Sequence, residues 1–183
     1  SLEGASVAIL GAGVLGLIAI QVAKARGASR VFATGRQDKK LALARQFGAV
    51  TADTRSEKVV ETGLEHGGPY DVVLDCIGTS AALDDAIRLS ECGGWIVLVA
   101  GPHEANLQFN YVEHRLREVA VIASRIYGED FDDCLSLLAG GKLDLAPLLT
   151  HRYPFDDAVE AMAFAASNRA DAIKVALQPR SVD

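Results

Sequence analysis

Short apolar runs alternate with amphipathic stretches along most of this chain. The apolar runs are 6–10, 30–34, 70–76, 95–100 and 119–123, with a shorter one near Val50. Runs this short, and apolar at nearly every position, read as strands buried on both faces. Between them, 14–26, 38–47, 56–66 and 80–91 carry apolar residues at helical spacing. Gly27 stops the first helix, and Gly48 follows the second in the left-handed position. Asp38 and Ser80 read as N-caps, Gly67-Gly68-Pro69 as a turn, and Gly93-Gly94 as the turn into the fifth strand. Residues 106–109 read as extended and lead into a short helix before the sixth strand.

This alternation implies an α/β protein, a parallel sheet with helices on both faces in three α/β/α layers. Right-handed crossovers make the doubly wound order 3-2-1-4-5-6 of the Rossmann fold the natural one. Strands one and four then meet at the switch point, and a ligand crevice is expected beside 11–16 and 76–79. The last third differs. A helix over 130–139 is stopped by Gly140-Gly141, 143–153 is extended, 155–167 is a helix opening on Pro154, and 172–177 is a final strand. It adds no further nucleotide-binding half. The expected division is a dinucleotide-binding domain, 1–124, and a C-terminal helical segment, 125–183, that is too apolar to be a tail.

The sharpest chemical signal is Gly11-Ala12-Gly13-Val14-Leu15-Gly16, between the first strand and its helix. Gly11 makes the tight turn, Gly13 lets a pyrophosphate approach the backbone, and Gly16 lets the helix pack closely. The amides of Gly13, Val14 and Leu15 open the helix, whose positive end faces phosphates. Where NAD-binding folds usually place an acid, about 20 residues further on, stands Gly35, followed by Arg36. A small residue leaves room for a 2′-phosphate, and a guanidinium binds one. That points to NADP over NAD, although Arg36 also reads as a solvated loop charge. Asp38 does not easily replace the missing acid, because it reads as the cap of the second helix.

Composition narrows the partners. The chain has 183 residues, 50% of them hydrophobic, and a net charge of −6. The acidic balance argues against a nucleic-acid surface. The longest apolar run, 7–20, is broken by three glycines and is too short for a membrane span. The first lysine is Lys24, so no basic region of a secretory signal precedes that run. Cys76, Cys92 and Cys134 have no paired spacing, which suits a reducing cytoplasm. His66, His103, His114 and His151 lack metal-ligand spacing and read as surface or loop residues.

These residues resemble the cofactor-binding part of the medium-chain, zinc-type alcohol and polyol dehydrogenases. The resemblance rests on the glycine motif, on Phe47-Gly48-Ala49, on Asp71-Val72-Val73-Leu74-Asp75-Cys76-Ile77-Gly78, and on Gly93-Gly94-Trp95-Ile96-Val97-Leu98-Val99-Ala100-Gly101. It continues through Gly141-Lys142-Leu143-Asp144, Pro147-Leu148-Leu149-Thr150-His151 and Ala172-Ile173-Lys174-Val175, spanning about 6–178. The C-terminal stretches are more specific than the glycine motif.

The resemblance implies roles for several residues. Val14 and Leu15 contact the pyrophosphate through backbone, and Gly35, Arg36 and Lys40 line the adenosine ribose. Cys76, Ile77 and Gly78 run beneath ribose and adenine. Leu98, Val99 and Ala100 present backbone to the nicotinamide amide, and Lys174 lies near the pyrophosphate. Taken alone, Lys40 and Lys174 read as solvated charges. The resemblance also places the zinc ligands and proton relay in an N-terminal domain ahead of the glycine motif, where only 1–5 stand here. A fragment inactive by itself is therefore expected, its C-terminal segment normally packed on that domain. The sheet edge near 106–123 is expected to pair with a second subunit, giving a dimer or larger homo-oligomer. The substrate implied is a secondary alcohol, since the Asp144, Pro147 and His151 stretch resembles sorbitol- and threonine-type members. Two other readings stand beside this one. One is a stand-alone nucleotide sensor without catalysis. The other is an S-adenosylmethionine-binding methyltransferase, against which Gly35-Arg36 argues.

Overall fold

The computed structural model describes residues 1–101, 105–125, 131–167 and 171–179. His103 and Asp130, the expected loop histidine and helix start, lie outside the described residues. The chain forms two compact units, Ser1–Leu143 and Asp144–Asp183.

The first unit runs β1 (Ser6–Leu10), α1 (Val14–Ala25), β2 (Arg30–Gly35), α2 (Asp38–Gln46), β3 (Val50–Asp53) and α3 (Val59–Glu65). It continues with β4 (Tyr70–Asp75), α4 (Ser80–Leu89), β5 (Ser90–Leu98), α5 (Tyr111–Arg117), β6 (Ala120–Ala123) and α6 (Phe131–Ala139). The six strands are parallel in the order β3-β2-β1-β4-β5-β6, as the alternation predicts. β1 is central, so every one of its residues is buried. Ala8 and Leu10 join one core cluster with Phe32, Tyr70, Val73 and Ile96. Ile9 alternates to the other face, where it meets the first turn of α1 at Gly16. Tyr70 is fully buried, stacks on Phe32 with ring centroids 5.8 Å apart, and donates its hydroxyl to the Gly63 carbonyl at 2.8 Å. Burial pushes its phenol up to about 12.

Three local expectations change. The N-cap of α2 is Gln37, which makes no side-chain cap. Asp38 is the first helical residue, where the helix dipole favours an acid without a capping bond, and its carboxylate pairs with Arg55. α4 is capped by Thr79, whose Oγ1 accepts from the Ala82 amide at 3.3 Å; Ser80 Oγ instead accepts from the Gln108 amide at 3.0 Å. Gly93-Gly94 is not a turn before β5 but lies within it, where the register against β4 shifts between Tyr70 and Val72. A Cβ on Gly94 would stand 2.9 Å from the Glu91 carbonyl oxygen, so the irregular crossing requires glycine.

The second unit opens on a 3-10 turn (Ala146–Leu148) and continues as β7 (Leu149–Pro154), a second 3-10 turn (Phe155–Asp157), α7 (Ala158–Ser167) and β8 (Lys174–Gln178). β7 and β8 pair in parallel. The His151 ring lies 4.4 Å from the Phe164 ring, which fastens α7 to β7. The extended character expected from 143 begins only at Leu149, because Pro147 sits in a 3-10 turn.

Among the described glycines, the closest approach of another stretch of backbone is at the start of α1. A Cβ on Gly16 would fall 2.0 Å from the Gly11 carbonyl oxygen. Backbone cannot yield as a side chain can, so Gly16→Ala is expected to destabilise the chain by roughly 2 kcal/mol through overpacking. Urea denaturation measures this, and an unchanged midpoint would show that the turn relaxes freely.

Candidate nucleotide-binding crevice

Strand order reverses between β1 and β4, so the loops leaving them diverge and open a crevice. On the β1 side the chain turns at Gly11, where φ is +98°. Two bonds to Thr34 hold that turn. The Gly11 amide donates to Thr34 Oγ1 at 3.1 Å, and the Ala12 amide donates to the Thr34 carbonyl at 2.6 Å. Gly13 is exposed, and a Cβ there would meet nothing within 4 Å. The opening beside the first amides of α1 is thus clear of protein atoms, as a phosphate-bearing ligand requires.

On the β4 side, Asp75 organises the walls. It is fully buried at the end of β4. Its Oδ1 accepts from the amides of Ile77 at 2.8 Å and Gly78 at 3.1 Å. Its main-chain carbonyl accepts from Val99 at 2.8 Å and Ala100 at 3.1 Å. One residue therefore shapes both the loop after β4 and the end of β5. Oδ2 is buried and finds no protein partner among the described residues, which suits a donor supplied by a ligand. Gly78 has φ +77°, and a Cβ there would come within 2.8 Å of the Gly101 carbonyl oxygen, so the close approach of the two loops requires glycine at this position. Ile77 closes the floor against Gly11, since a Cβ on Gly11 would lie 2.9 Å from Ile77 Cγ1. Burial first, and then the Asp75 charge, push the neighbouring Cys76 thiol up to about 12, which leaves it uncharged and inert.

A cavity of about 590 Å³ opens from these walls. It is lined by Leu15, Asp75, Gly78, Leu98, Val99, Ala100, Gly101, Ala105, Leu107, Ala123, Ser124 and Arg125. It therefore gathers the expected residues Leu15, Gly78, Leu98, Val99 and Ala100. Gly11, Gly13, Val14, Gly16, Cys76 and Ile77 belong to the adjoining turns. Sequence reasoning missed Asp75 as a residue of this cavity, although an acid at the end of a mostly apolar strand was a visible signal. It also missed Ser124 and Arg125, which only the placement of β6 beside β5 brings to the cavity.

The far end of the crevice is set by β2. A Cβ on Gly35 would lie 3.2 Å from Ala12 Cβ and 3.0 Å from Leu41 Cδ2. The space expected at Gly35 is thus already bordered, and a larger residue there would require Leu41 to move. Arg36 is exposed, with no ion pair among the described residues. Lys40 is half-buried on α2. Lys174 is not part of this unit; it starts β8 in the second unit, where its carbonyl accepts from Thr150 Oγ1 at 3.2 Å. Among the described residues no group of three or more His, Cys, Asp or Glu side chains could hold a metal ion. No helix of the described residues is long and apolar enough to cross a membrane.

Comparison with known proteins agrees with this geometry. The family model for zinc-binding dehydrogenases matches residues 14–140. Sorbitol dehydrogenase of Rattus norvegicus is 34% identical over 166 residues, covering 86% of this chain and 45% of its own length. L-threonine 3-dehydrogenase of Bacillus velezensis is 33% identical over 162 residues, covering 85% of this chain and 46% of its own. A solved structure from Sinorhizobium meliloti 1021, provisionally described as a zinc-binding dehydrogenase and bound to NADP, superposes with a TM-score of 0.86 at 32% identity. That match covers 97% of this chain and 53% of the other. The chain spans about half the length of the curated relatives it matches. By sequence, fold and crevice, this chain belongs to the zinc-binding dehydrogenase family.

Proposed function

We propose that this chain is the nicotinamide-dinucleotide-binding part of a zinc-dependent alcohol or polyol dehydrogenase, and that it takes NADP in preference to NAD. The observation that carries the cofactor class is the clear opening at Gly13 beside a cavity whose buried Asp75 Oδ2 lacks a partner among the described residues. The preference for NADP rests on Gly35 and on the exposed guanidinium of Arg36. The NADP held by the related Sinorhizobium protein supports it.

In this reading the amides of Val14 and Leu15 meet the pyrophosphate, with Gly11, Gly13 and Gly16 shaping the turn. Arg36 and Lys40 bind the phosphorylated ribose beside Gly35. Cys76, Ile77 and Gly78 form an uncharged floor beneath ribose and adenine. The amides of Val99 and Ala100 are already given to Asp75, and the Leu98 carbonyl accepts from the Ser124 amide at 3.0 Å. What Val99 and Ala100 offer a carboxamide is therefore their carbonyls, which accept from its NH2. When bound, the nicotinamide supplies the two-electron acceptor for oxidation of a secondary alcohol. We assign zinc ligation and the proton relay to a catalytic domain outside these 183 residues, with 125–183 packing against it. The protein is placed in the cytoplasm, where its three free thiols stay reduced.

A homo-oligomer belongs to the same proposal. β6 is an edge strand of the sheet. Val121 and Ile122 on it are 38% and 43% exposed, and an open apolar edge invites a second copy.

Isothermal titration is expected to show NADPH binding more tightly than NADH. Arg36→Ala should weaken NADPH about tenfold, about 1.4 kcal/mol, while barely changing NADH. Equal affinities in the unaltered chain would refute the preference. Light scattering over a concentration series should find a dimer or larger species that Ile122→Lys shifts toward monomer; a strictly monomeric chain would refute edge pairing. The 183-residue chain should bind no stoichiometric zinc and should not oxidise polyols. One tightly held zinc, or turnover, would relocate the catalytic site.

A further inference from the structure

We propose that Arg55 sets nucleotide preference without touching the nucleotide, by engaging Asp38 and Asp53 beside Arg36 and offsetting half of their negative charge. The inference rests on the NADP reading above.

Two carboxylates flank the end of β2. Asp53 is the register partner of Gly35 on β3, and the Thr54 amide donates to the Gly35 carbonyl at 2.8 Å. Neighbouring strands lie roughly 5 Å apart, so Asp53 stands one strand from the position where an acid would read the ribose. Asp38 opens α2 just after Arg36. Left unpaired, the two would repel a ribose phosphate and draw Arg36 onto themselves.

Arg55 weakens the first effect, by offsetting one of the two negative charges, and opposes the second, by occupying both acids. Its Nε donates to Asp53 Oδ1 at 2.9 Å and its Nη2 to Asp53 Oδ2 at 2.6 Å. The same Nη2 reaches Asp38 Oδ1. The fork is planar, which is why one guanidinium satisfies both oxygens of Asp53 while also reaching a second acid. Hydrogen bonds from Arg55, with smaller help from the charges of Arg55 and Arg45, hold the Asp53 carboxyl at about 2. The acid is therefore ionised, and in the clamp, at any physiological pH. Glu57 is occupied nearby as acceptor for the Asp53 amide at 2.7 Å. Lys39 and Lys40 add positive charge on α2. In this setting Arg36 is left available, because the acids that would compete for it are taken. Arg55 is within hydrogen-bonding distance of both carboxylates, far inside a Debye length of about 10 Å, so physiological salt does not erase the pairing.

The test is titration of NADPH and NADH into the 183-residue chain and four variants, with thermal melts to confirm folding. Arg55→Ala should lower the ratio of NADPH to NADH affinity about tenfold. Arg55→Lys, which keeps the charge but not the fork, should stay within about threefold of the original ratio. The triple variant Arg55→Ala with Asp38→Asn and Asp53→Asn should recover it. A ratio unmoved by Arg55→Ala overturns the inference. So does a triple variant that stays low, which would mean that Arg55 binds the phosphate itself. The fourth variant, Arg36→Ala, separates the two claims. If the chain favours NADH and Arg36→Ala leaves the ratio unchanged, the NADP reading is what fails. If the ratio responds to Arg36 and not to Arg55, only the role of Arg55 fails.

Discussion

The contact between Gly16 and the Gly11 carbonyl governs the placement of everything around the crevice. A helix cannot begin this close to the strand it leaves unless its first turn lacks a side chain. That closeness lets α1 start at Val14 with its leading amides at the switch point, and it brings Ile9 of β1 against the helix. Thr34 then locks the turn from the neighbouring strand through its hydroxyl and its carbonyl. Two glycines and one threonine thus convert an ordinary parallel sheet into one with an open, amide-lined end.

Asp75 does on the other wall what Thr34 does on the first. Its carboxylate and its carbonyl take four amides from two loops that are far apart in sequence. A buried carboxylate is costly unless its oxygens are satisfied. One oxygen is satisfied by the loop after β4, and the other is buried without a partner among the described residues, in a side chain that lines a cavity of about 590 Å³. Within a single side chain, Oδ1 builds the loop and Oδ2 is left without a partner among the described residues.

Electrostatics divides the crevice further. The cavity end is mostly apolar, with Leu15, Leu98, Leu107 and Ala123 around the buried acid. The opposite end is a cluster of exposed charges in which pairing matters more than count. Arg55 holds two acids, and Arg36 holds none among the described residues. The net charge of the chain, −6, says nothing about this end, because a sum over the sequence does not record which charges are already engaged.

Alternating apolar runs, the glycine spacing and the helix-stopping glycines were enough to determine the strand order, the switch point and the location of the crevice. These are local signals: burial on both faces demands apolar runs, and a left-handed turn demands glycine. The sequence also showed Gly35-Arg36, since a missing acid is visible without a structure. Helix caps were less legible. Asp38, Ser80 and their neighbours Gln37 and Thr79 are all polar, and which one caps depends on where the chain bends. The glycine pair in β5 read as a turn because its close approach to Asp71 exists only once β4 and β5 pair. The clamp of Arg55 on Asp38 and the meeting of Asp75 with Val99 and Ala100 were decided by tertiary structure alone. Both join residues from different strand–helix units, and such pairings arise from strand order and register, which bring distant chain segments within hydrogen-bonding distance.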